Sequence, residues 1–244
     1  MRNALANDEF ALFCQPILAF SGINRYPMGE LLVRLREEEK ALLPPGEFFP
    51  VFEHYRMMPQ LDRWVVRSAI ASLARGTGIP CLTINLSGQT LEDLEFPRFV
   101  ASHLLSNKVP SRCLLFEIDE SDTLIRFDAA RRFSDAYREI GGGILIDGFG
   151  RKSVSFGAIQ GLGPRFVKVD GSITRQLLAS ERAKRKMAAL LTISQALNFS
   201  LIAEFVEEQD TLIRLKALGV GYAQGFGVYR PGPIESLKFS ASRG

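Results

Sequence analysis

The stretch GGGILIDGFG (141–150), together with RFVKVD (165–170) and SLIAE (200–204), decides the fold that this sequence predicts. Each segment contains a short run of β-branched and other apolar residues that closes on an acidic residue: Asp147, Asp170 or Glu204. Segments with helical periodicity lie between these runs. Apolar strands that alternate with helices are typical of a parallel sheet covered by helices, so the pattern predicts an α/β fold.

Two earlier runs, CLTINLS (81–87) and CLLFEI (113–118), have the same strand-like composition. The helical segments carry apolar stripes at three- and four-residue steps, formed by Leu61, Trp64, Val65, Ala69 and Leu73 in one helix and by Phe127, Ala130, Phe133, Tyr137 and Ile140 in another. No GxGxxG or P-loop motif opens a helix, which removes the usual argument for an open nucleotide-binding sheet. The 244 residues therefore predict a (β/α)8 barrel, with residues 1–244 as one domain.

The charge balance and the length of the apolar runs argue against two classes of partner, nucleic acid and membrane. A net charge of +3 with 23% charged residues provides no large one-sided field, so nucleic-acid binding is not expected. No apolar run approaches the roughly 18 residues of a membrane span, so direct membrane insertion by this domain is not expected either. A small anionic ligand is compatible with this composition.

The cysteines and histidines exclude further site classes. Cys14, Cys81 and Cys113 are an odd number without CxxC spacing, so neither a disulfide framework nor a zinc site is expected. This cysteine usage favours a cytoplasmic, reducing location. His54 and His103 are the only histidines and lie far apart in the sequence, so a histidine-based mechanism is not expected.

Oxygen-bearing side chains stand at or near the ends of the strand-like runs, where a parallel barrel gathers its chemistry. They are Asn85, Glu117, Asp147, Glu204 and, in the apolar segment MGELLVRL, Glu30. Lys168 is the one basic residue among them. Carboxylate and amide oxygens without His or Cys suit Mg²⁺, Mn²⁺ or Ca²⁺ rather than zinc. Each residue alone could instead be a strand-end cap or a salt-bridge partner, but the complete set favours a metal site.

The landmarks of the sequence, taken in order, resemble those of the EAL domain family. They are QPI (15–17), GELLVRL (29–35), NLS (85–87), FEIDES (116–121), DGFG (147–150), KVD (168–170), AEFVE (203–207), YAQGF (222–226) and RPGP (230–233). The resemblance extends from about Asn3 to about Leu237. It implies a TIM-like (β/α)8 barrel with one reversed strand. It also implies the family activity, which is hydrolysis of cyclic di-GMP to pGpG with two Mg²⁺ or Mn²⁺ ions.

The resemblance also implies roles for individual residues. The implied metal ligands are Glu30, Asn85, Glu117 and Asp147. The implied catalytic residues are Lys168, which helps to position the attacking water, Glu204, a further acidic ligand, and Glu207, a supporting acid. Arg34 is expected to contact a ligand phosphate, and the other expected substrate-binding residues are Gln15, Asp170, Gln224, Arg230 and Pro231. Glu120 is expected to anchor the loop that follows DGFG.

The sequence departs from the family pattern at this loop and at one other position. The second aspartate of the family's DDFG motif is Gly148, and the family's TGYSS run is replaced by residues 151–155. Phe205 replaces the glycine of AEGVE. A two-metal site that loses one carboxylate can keep one ion, or none, and losing one charge stabiliser typically slows a reaction about 100-fold or more.

We therefore expect a domain that binds cyclic di-GMP with weak or no hydrolysis. A working phosphodiesterase that tolerates Gly148 is one alternative, and a degenerate domain that binds a protein partner is another. The other domains of a longer parent protein and a second copy of this domain are further expected partners.

Overall fold

The computed structural model describes residues 4, 5, 7, 9–36, 42–151 and 156–237. Within these ranges the strands are β1 (Phe10–Ala19), β2 (Met28–Arg36), β3 (Leu42–Leu43), β4 (Leu82–Asn85), β5 (Leu114–Asp119), β6 (Gly143–Phe149), β7 (Phe166–Val169), β8 (Ser200–Ala203), β9 (Tyr222–Ala223) and β10 (Gly232–Pro233). The α-helices are α1 (Pro45–His54), α2 (Met58–Arg75), α3 (Gly88–Leu91), α4 (Phe96–Ser106), α5 (Glu120–Ile125), α6 (Phe127–Glu139), α7 (Phe156–Leu162), α8 (Gly171–Arg175), α9 (Glu181–Leu197) and α10 (Gln209–Leu218).

Eight of the described strands close into a barrel in the order β1, β2, β4, β5, β6, β7, β8, β9 and back to β1. Neighbouring strands from β2 to β9 run parallel. Strand β1 is antiparallel to both of its barrel neighbours, β2 and β9. The short strands β3 and β10 pair with β2 and β1 outside the ring. The predicted TIM-like barrel with one reversed strand is confirmed, and β1 is the reversed strand.

The predicted apolar stripes form the faces that α2 and α6 turn toward the barrel. Leu61, Val65 and Ala69 are buried in α2, as are Phe133 and Tyr137 in α6. The ring of Phe116 on β5 lies 5.2 Å from Phe133 and 4.9 Å from Tyr137, centroid to centroid, and both contacts are edge-to-face. The Tyr137 hydroxyl donates to the Leu114 carbonyl at 3.0 Å, so this polar group is satisfied inside the core.

The prediction that Ile140 belongs to the apolar stripe of helix α6 is wrong. Helix α6 ends at Glu139, and Ile140 is the residue after it, with 39% of its surface exposed. The backbone turns toward Gly141 and Gly142 at this point, which takes the Ile140 side chain off the buried face.

The polar residues do not all stand where their strands end. Asn85 is the last residue of β4, whereas β2 continues past Glu30 to Arg36. The expectation that Glu30 stands at or near the end of its strand-like run is therefore wrong. Strands of a closed barrel tilt and are staggered, so residues at the same height occupy different positions along their own strands. Glu30 lies opposite Thr83, two residues before Asn85.

None of the helices in the described ranges has the length and apolar composition that crossing a bilayer requires.

Candidate functional site

Lys168 on β7 lies inside the barrel with 1% of its side chain exposed. Its Nζ is 2.7 Å from Glu30 Oε2 on β2 and 2.7 Å from Glu117 Oε2 on β5. The same nitrogen is 3.7 Å from an oxygen of Glu204, which follows β8 directly. One buried ammonium thus joins carboxylates from three separate parts of the barrel wall.

Amide side chains complete the hydrogen bonds of Glu30. Asn85 Nδ2 donates to Glu30 Oε1 at 2.8 Å, and Gln224 Nε2 donates to Glu30 Oε2 at 2.7 Å. Gln224 also donates to Gln15 Oε1 at 3.1 Å, and Gln15 Nε2 donates to the Tyr229 carbonyl at 3.0 Å. Four residues that the sequence predicted for the site therefore belong to one hydrogen-bonded network that includes the reversed strand β1.

Asp147 on β6 brings a further buried carboxylate. Its Oδ1 has no hydrogen-bond partner among the described residues. Burial raises the pKa of Asp147, although the charge of Lys168 opposes the effect. A buried carboxylate oxygen without a partner is costly, so this atom is available to a cation or a polar ligand.

The buried carboxylates of the site outnumber the one buried ammonium, that of Lys168, which can neutralise them. Burial, followed by the charge of Glu30, raises the pKa of Glu117 to about 8. Burial likewise raises the pKa of Glu204 well above its usual value. Burial also acts to raise the pKa of Glu30, but Lys168 and the amide hydrogen bonds outweigh it, so that this pKa is lowered. Burial acts to lower the pKa of Lys168, yet its carboxylate neighbours, Glu117 first, raise it well above the usual value.

A cavity of about 620 Å³ opens beside this cluster. Its lining includes these residues that the sequence predicted for the site: Gln15, Glu30, Asp147, Asp170, Glu204, Glu207 and Gln224. It also includes Arg151, Arg175, Phe205 and Phe226, to which the sequence gave no site role. Of these, Arg151 and Phe205 were visible in the sequence as departures from the family motifs.

Three predicted ligand-binding residues lie outside the cavity lining. Arg34 Nη1 donates to the Val33 carbonyl at 2.8 Å, and its guanidinium carbon lies 5.5 Å from the Phe13 ring centroid. Arg230 has its guanidinium carbon 5.1 Å from the ring centroid of Phe226, and Pro231 follows it. Their roles in ligand binding stay predictions.

Glu120, the predicted loop anchor, is buried at the start of α5. Its Oε1 accepts a hydrogen bond from the backbone N–H of Gly150 at 3.1 Å. This contact ties the chain after β6 to α5. The predicted loop replacement also includes residues 152–155, which lie outside the described residues.

Arg151 occupies the space next to Gly148. Gly148 has a φ of +67°, and a Cβ atom added there would lie 1.8 Å from Arg151 Nη2. The same guanidinium pairs with Asp119 Oδ2 at 3.4 Å through Nη2 and with Asp170 Oδ2 at 3.3 Å through Nε. A positive charge therefore lies beside the position where the family pattern has a second acidic side chain.

The donors at this site are oxygens, which hard cations prefer. In the described ranges, no group of three or more acidic, His or Cys side chains is arranged so that it could hold a metal ion. The unpartnered Asp147 Oδ1 and the excess of carboxylates over Lys168 nevertheless fit one Mg²⁺ or Mn²⁺ ion. At the position of the family's second aspartate, Gly148 offers no side-chain ligand, and the nearby guanidinium of Arg151 carries a positive charge.

Comparison with known proteins assigns the family. A family model described as EAL domain matches residues 1–231. This chain belongs to the EAL domain family. The cyclic di-GMP phosphodiesterase PdeB of Shewanella oneidensis is 28% identical to this EAL domain over 236 residues, which are 96% of this chain and 28% of PdeB. This EAL domain therefore spans less than a third of that relative's length.

Solved structures agree with the assignment. The c-di-GMP complex of the PaMucR phosphodiesterase matches with a TM-score of 0.88 and 26% identity, over 96% of both chains. The FimX EAL domain from Pseudomonas aeruginosa bound to c-di-GMP matches with a TM-score of 0.89 and 26% identity, over 95% of this chain and 94% of that one. The resemblance deduced from the sequence motifs is confirmed.

The shifted pKa of Glu117 predicts a pH dependence of stability. The pKa is raised from 4.5 to about 8 in the folded state, so the folded protein holds this proton more tightly than the unfolded chain does. The resulting stability is fully present below pH 4.5 and is lost as the pH rises toward 8. We expect the free energy of unfolding, measured with urea in EDTA, to fall across this window and to fall less in Glu117→Gln. Parallel pH profiles for the two proteins would contradict the assignment.

Proposed function

We propose that this EAL domain binds cyclic di-GMP and hydrolyses it slowly or not at all, with one Mg²⁺ or Mn²⁺ ion in the site. The observation that carries the proposal is Gly148, which supplies no carboxylate where the family motif has its second aspartate and which has the Arg151 guanidinium beside it. Such an arrangement keeps positive charge in the site and removes a metal ligand.

Glu30, Asn85, Glu117 and Asp147 are the residues that we propose hold the one ion. Their oxygens are hard donors, and the unpartnered Oδ1 of Asp147 supports the assignment. A bound divalent cation polarises a phosphoryl oxygen and lowers the pKa of a water molecule.

Lys168 and Glu204 supply the remaining chemistry of the chain. The raised pKa of Lys168 keeps its ammonium protonated, so it donates hydrogen bonds and does not accept a proton. It therefore positions the carboxylates and a nearby water and does not act as a base. Glu204 lines the cavity, and burial raises the pKa of its carboxyl group well above the usual value. Glu204 is thus the better candidate for proton exchange with a bound ligand.

Arg151 supports the proposed separation of binding from hydrolysis. A guanidinium donates hydrogen bonds to phosphate oxygens and strengthens anion binding. It does not ionise water, so it replaces the charge of a second metal ion but not its chemistry. Removing one charge stabiliser from such a site typically costs about 100-fold or more in rate.

The cavity supports a dinucleotide ligand. Its volume of about 620 Å³ lies within the ordinary range for small-molecule sites. Arg151 and Arg175 bring positive charge to a lining that also contains Gln224, whose buried Oε1 has no partner among the described residues. This acceptor suits an N–H group of a guanine edge. Two structural neighbours were solved with c-di-GMP, which supports the same ligand here.

A working phosphodiesterase is the second candidate, because PdeB carries that activity in its name and the proposed ligands of the first ion are all present here. A titration with cyclic di-GMP, with and without Mn²⁺, separates the candidates when pGpG is measured by chromatography. We expect binding with little pGpG. Turnover at about one per second or faster, within the ordinary enzyme range, would establish the phosphodiesterase instead. No binding under either condition would point to a domain that recognises a protein partner.

Restoring the missing carboxylate tests the role of Arg151. We expect Gly148→Asp alone to leave pGpG production low, because the new side chain meets Arg151 Nη2. The positive φ of Gly148 also strains any side chain placed there, so the backbone and the guanidinium both oppose the single change. Gly148→Asp combined with Arg151→Ser should raise pGpG production about tenfold or more over either single variant. Equal rates for Gly148→Asp and the double variant would contradict this explanation.

The setting of the domain is also a proposal. The matched relatives are several times longer than this chain, as with PdeB, which supports a role beside other domains of a longer signalling protein. All three cysteines are free, which supports a cytoplasmic location. A homodimer is a further proposal, and the oligomeric state of the domain in solution tests it.

A further inference from the structure

Phe205 is an exposed aromatic residue in the cavity wall. It follows Glu204 at the carboxyl end of β8, and 49% of its surface is exposed although it is a phenylalanine. Its ring lines the same cavity as Glu30, Asp147 and Gln224. A large apolar group beside a polar site exposes surface that a ligand can cover.

The backbone at Phe205 is in an unfavourable conformation. Its φ is +54°, in the left-handed region that bulky side chains rarely adopt. Glycine is the residue that this conformation favours, and it is also what the family motif has at this position. Unfavourable backbone angles persist mainly where the side chain has a use, and they concentrate at binding sites.

The neighbours of Phe205 hold its ring in place. A Cβ atom added at Gly171, the first residue of α8, would lie 2.3 Å from Phe205 Cδ2, so the glycine makes room for the ring. Arg175, at the end of the same helix, has its guanidinium carbon 4.6 Å from the ring centroid. A ring and a planar guanidinium thus lie together at one wall of the cavity.

A second pair of the same kind borders the cavity. Phe226 lines it and is 56% exposed, and the guanidinium carbon of Arg230 lies 5.1 Å from its ring centroid. Aromatic rings and guanidinium planes are the surfaces on which unpaired bases stack in proteins. A ligand with two purines, such as cyclic di-GMP, can use both pairs.

We infer that Phe205 is a purine-stacking residue, and that its ring, supported by Arg175, holds one guanine base of the ligand. The inference rests on the proposed function, because it takes cyclic di-GMP as the ligand. It assigns a use to the residue that replaces the family's glycine. It also gives the chain an anchor for the base that does not depend on a metal ion.

The test combines affinity and stability. Cyclic di-GMP binding is measured by calorimetry in EDTA for the unchanged domain and for Phe205→Gly, Phe205→Leu and Phe205→Trp. Thermal unfolding without ligand is measured on the same proteins. We expect Phe205→Gly and Phe205→Leu to bind roughly tenfold or more weakly, and Phe205→Trp to bind within about threefold of the unchanged domain. The unfolding temperature of Phe205→Gly should stay level or rise, because glycine suits the backbone.

Lys108→Gly is the matched control. Lys108 also has a positive φ, of 55°, and does not line the cavity, so its replacement relieves a similar backbone angle without touching the ligand. We expect unchanged affinity in this variant.

Full affinity in Phe205→Gly or Phe205→Leu overturns the stacking role and leaves the proposed function standing. Loss of affinity together with a lower unfolding temperature in Phe205→Gly overturns it as well, because that result indicates a structural role. Absence of binding by the unchanged domain in EDTA overturns the metal-independent anchor, and absence of binding with Mn²⁺ as well overturns the proposed function and the inference with it.

Discussion

The ion network around Lys168 is the interaction on which the site depends. A buried carboxylate without a counter-charge destabilises a protein by several kcal/mol, and this barrel places Glu30, Glu117, Asp147 and Glu204 around one interior. Lys168 offsets part of that cost by pairing with Glu30 and Glu117 at 2.7 Å each. Glu30, Glu117 and Asp147 come from β2, β5 and β6 and Glu204 directly follows β8, so the closed barrel is what brings these carboxylates together. The remaining excess of negative charge leaves the site ready for a cation.

Much of this arrangement could be predicted from the sequence. Apolar runs ending in Asn85, Asp147 and Glu204 imply parallel strands whose polar ends meet, and the structure brings these residues to one end of the barrel. The position of Glu30 along the barrel axis could not be predicted, because it depends on the stagger between strands. That stagger follows from barrel closure and cannot be read from the residue pattern of a single strand. The site positions of Arg151 and Phe205 depend on loop and terminal backbone angles, which side-chain periodicity does not encode. Both residues were nevertheless identifiable as departures from the motifs.

The two departures act on the same cavity. At Gly148 the chain lacks an acidic side chain, and the guanidinium of Arg151 occupies the space. At Phe205 it accepts an unfavourable backbone angle and exposes an aromatic ring. Under the proposed function, the first change favours holding a phosphate over cleaving it, and the second adds a surface for a base. Both support the proposal of an EAL domain whose cavity is modified toward retaining its ligand.

The number of Mn²⁺ ions bound per chain tests this account most directly. It can be measured without any nucleotide, by the electron paramagnetic resonance signal of free Mn²⁺ during a titration of the domain. One ion per chain is the predicted result, because Glu30, Asn85, Glu117 and Asp147 supply one set of oxygen donors and Arg151 keeps a second ion away. Two ions per chain, or none, would contradict it.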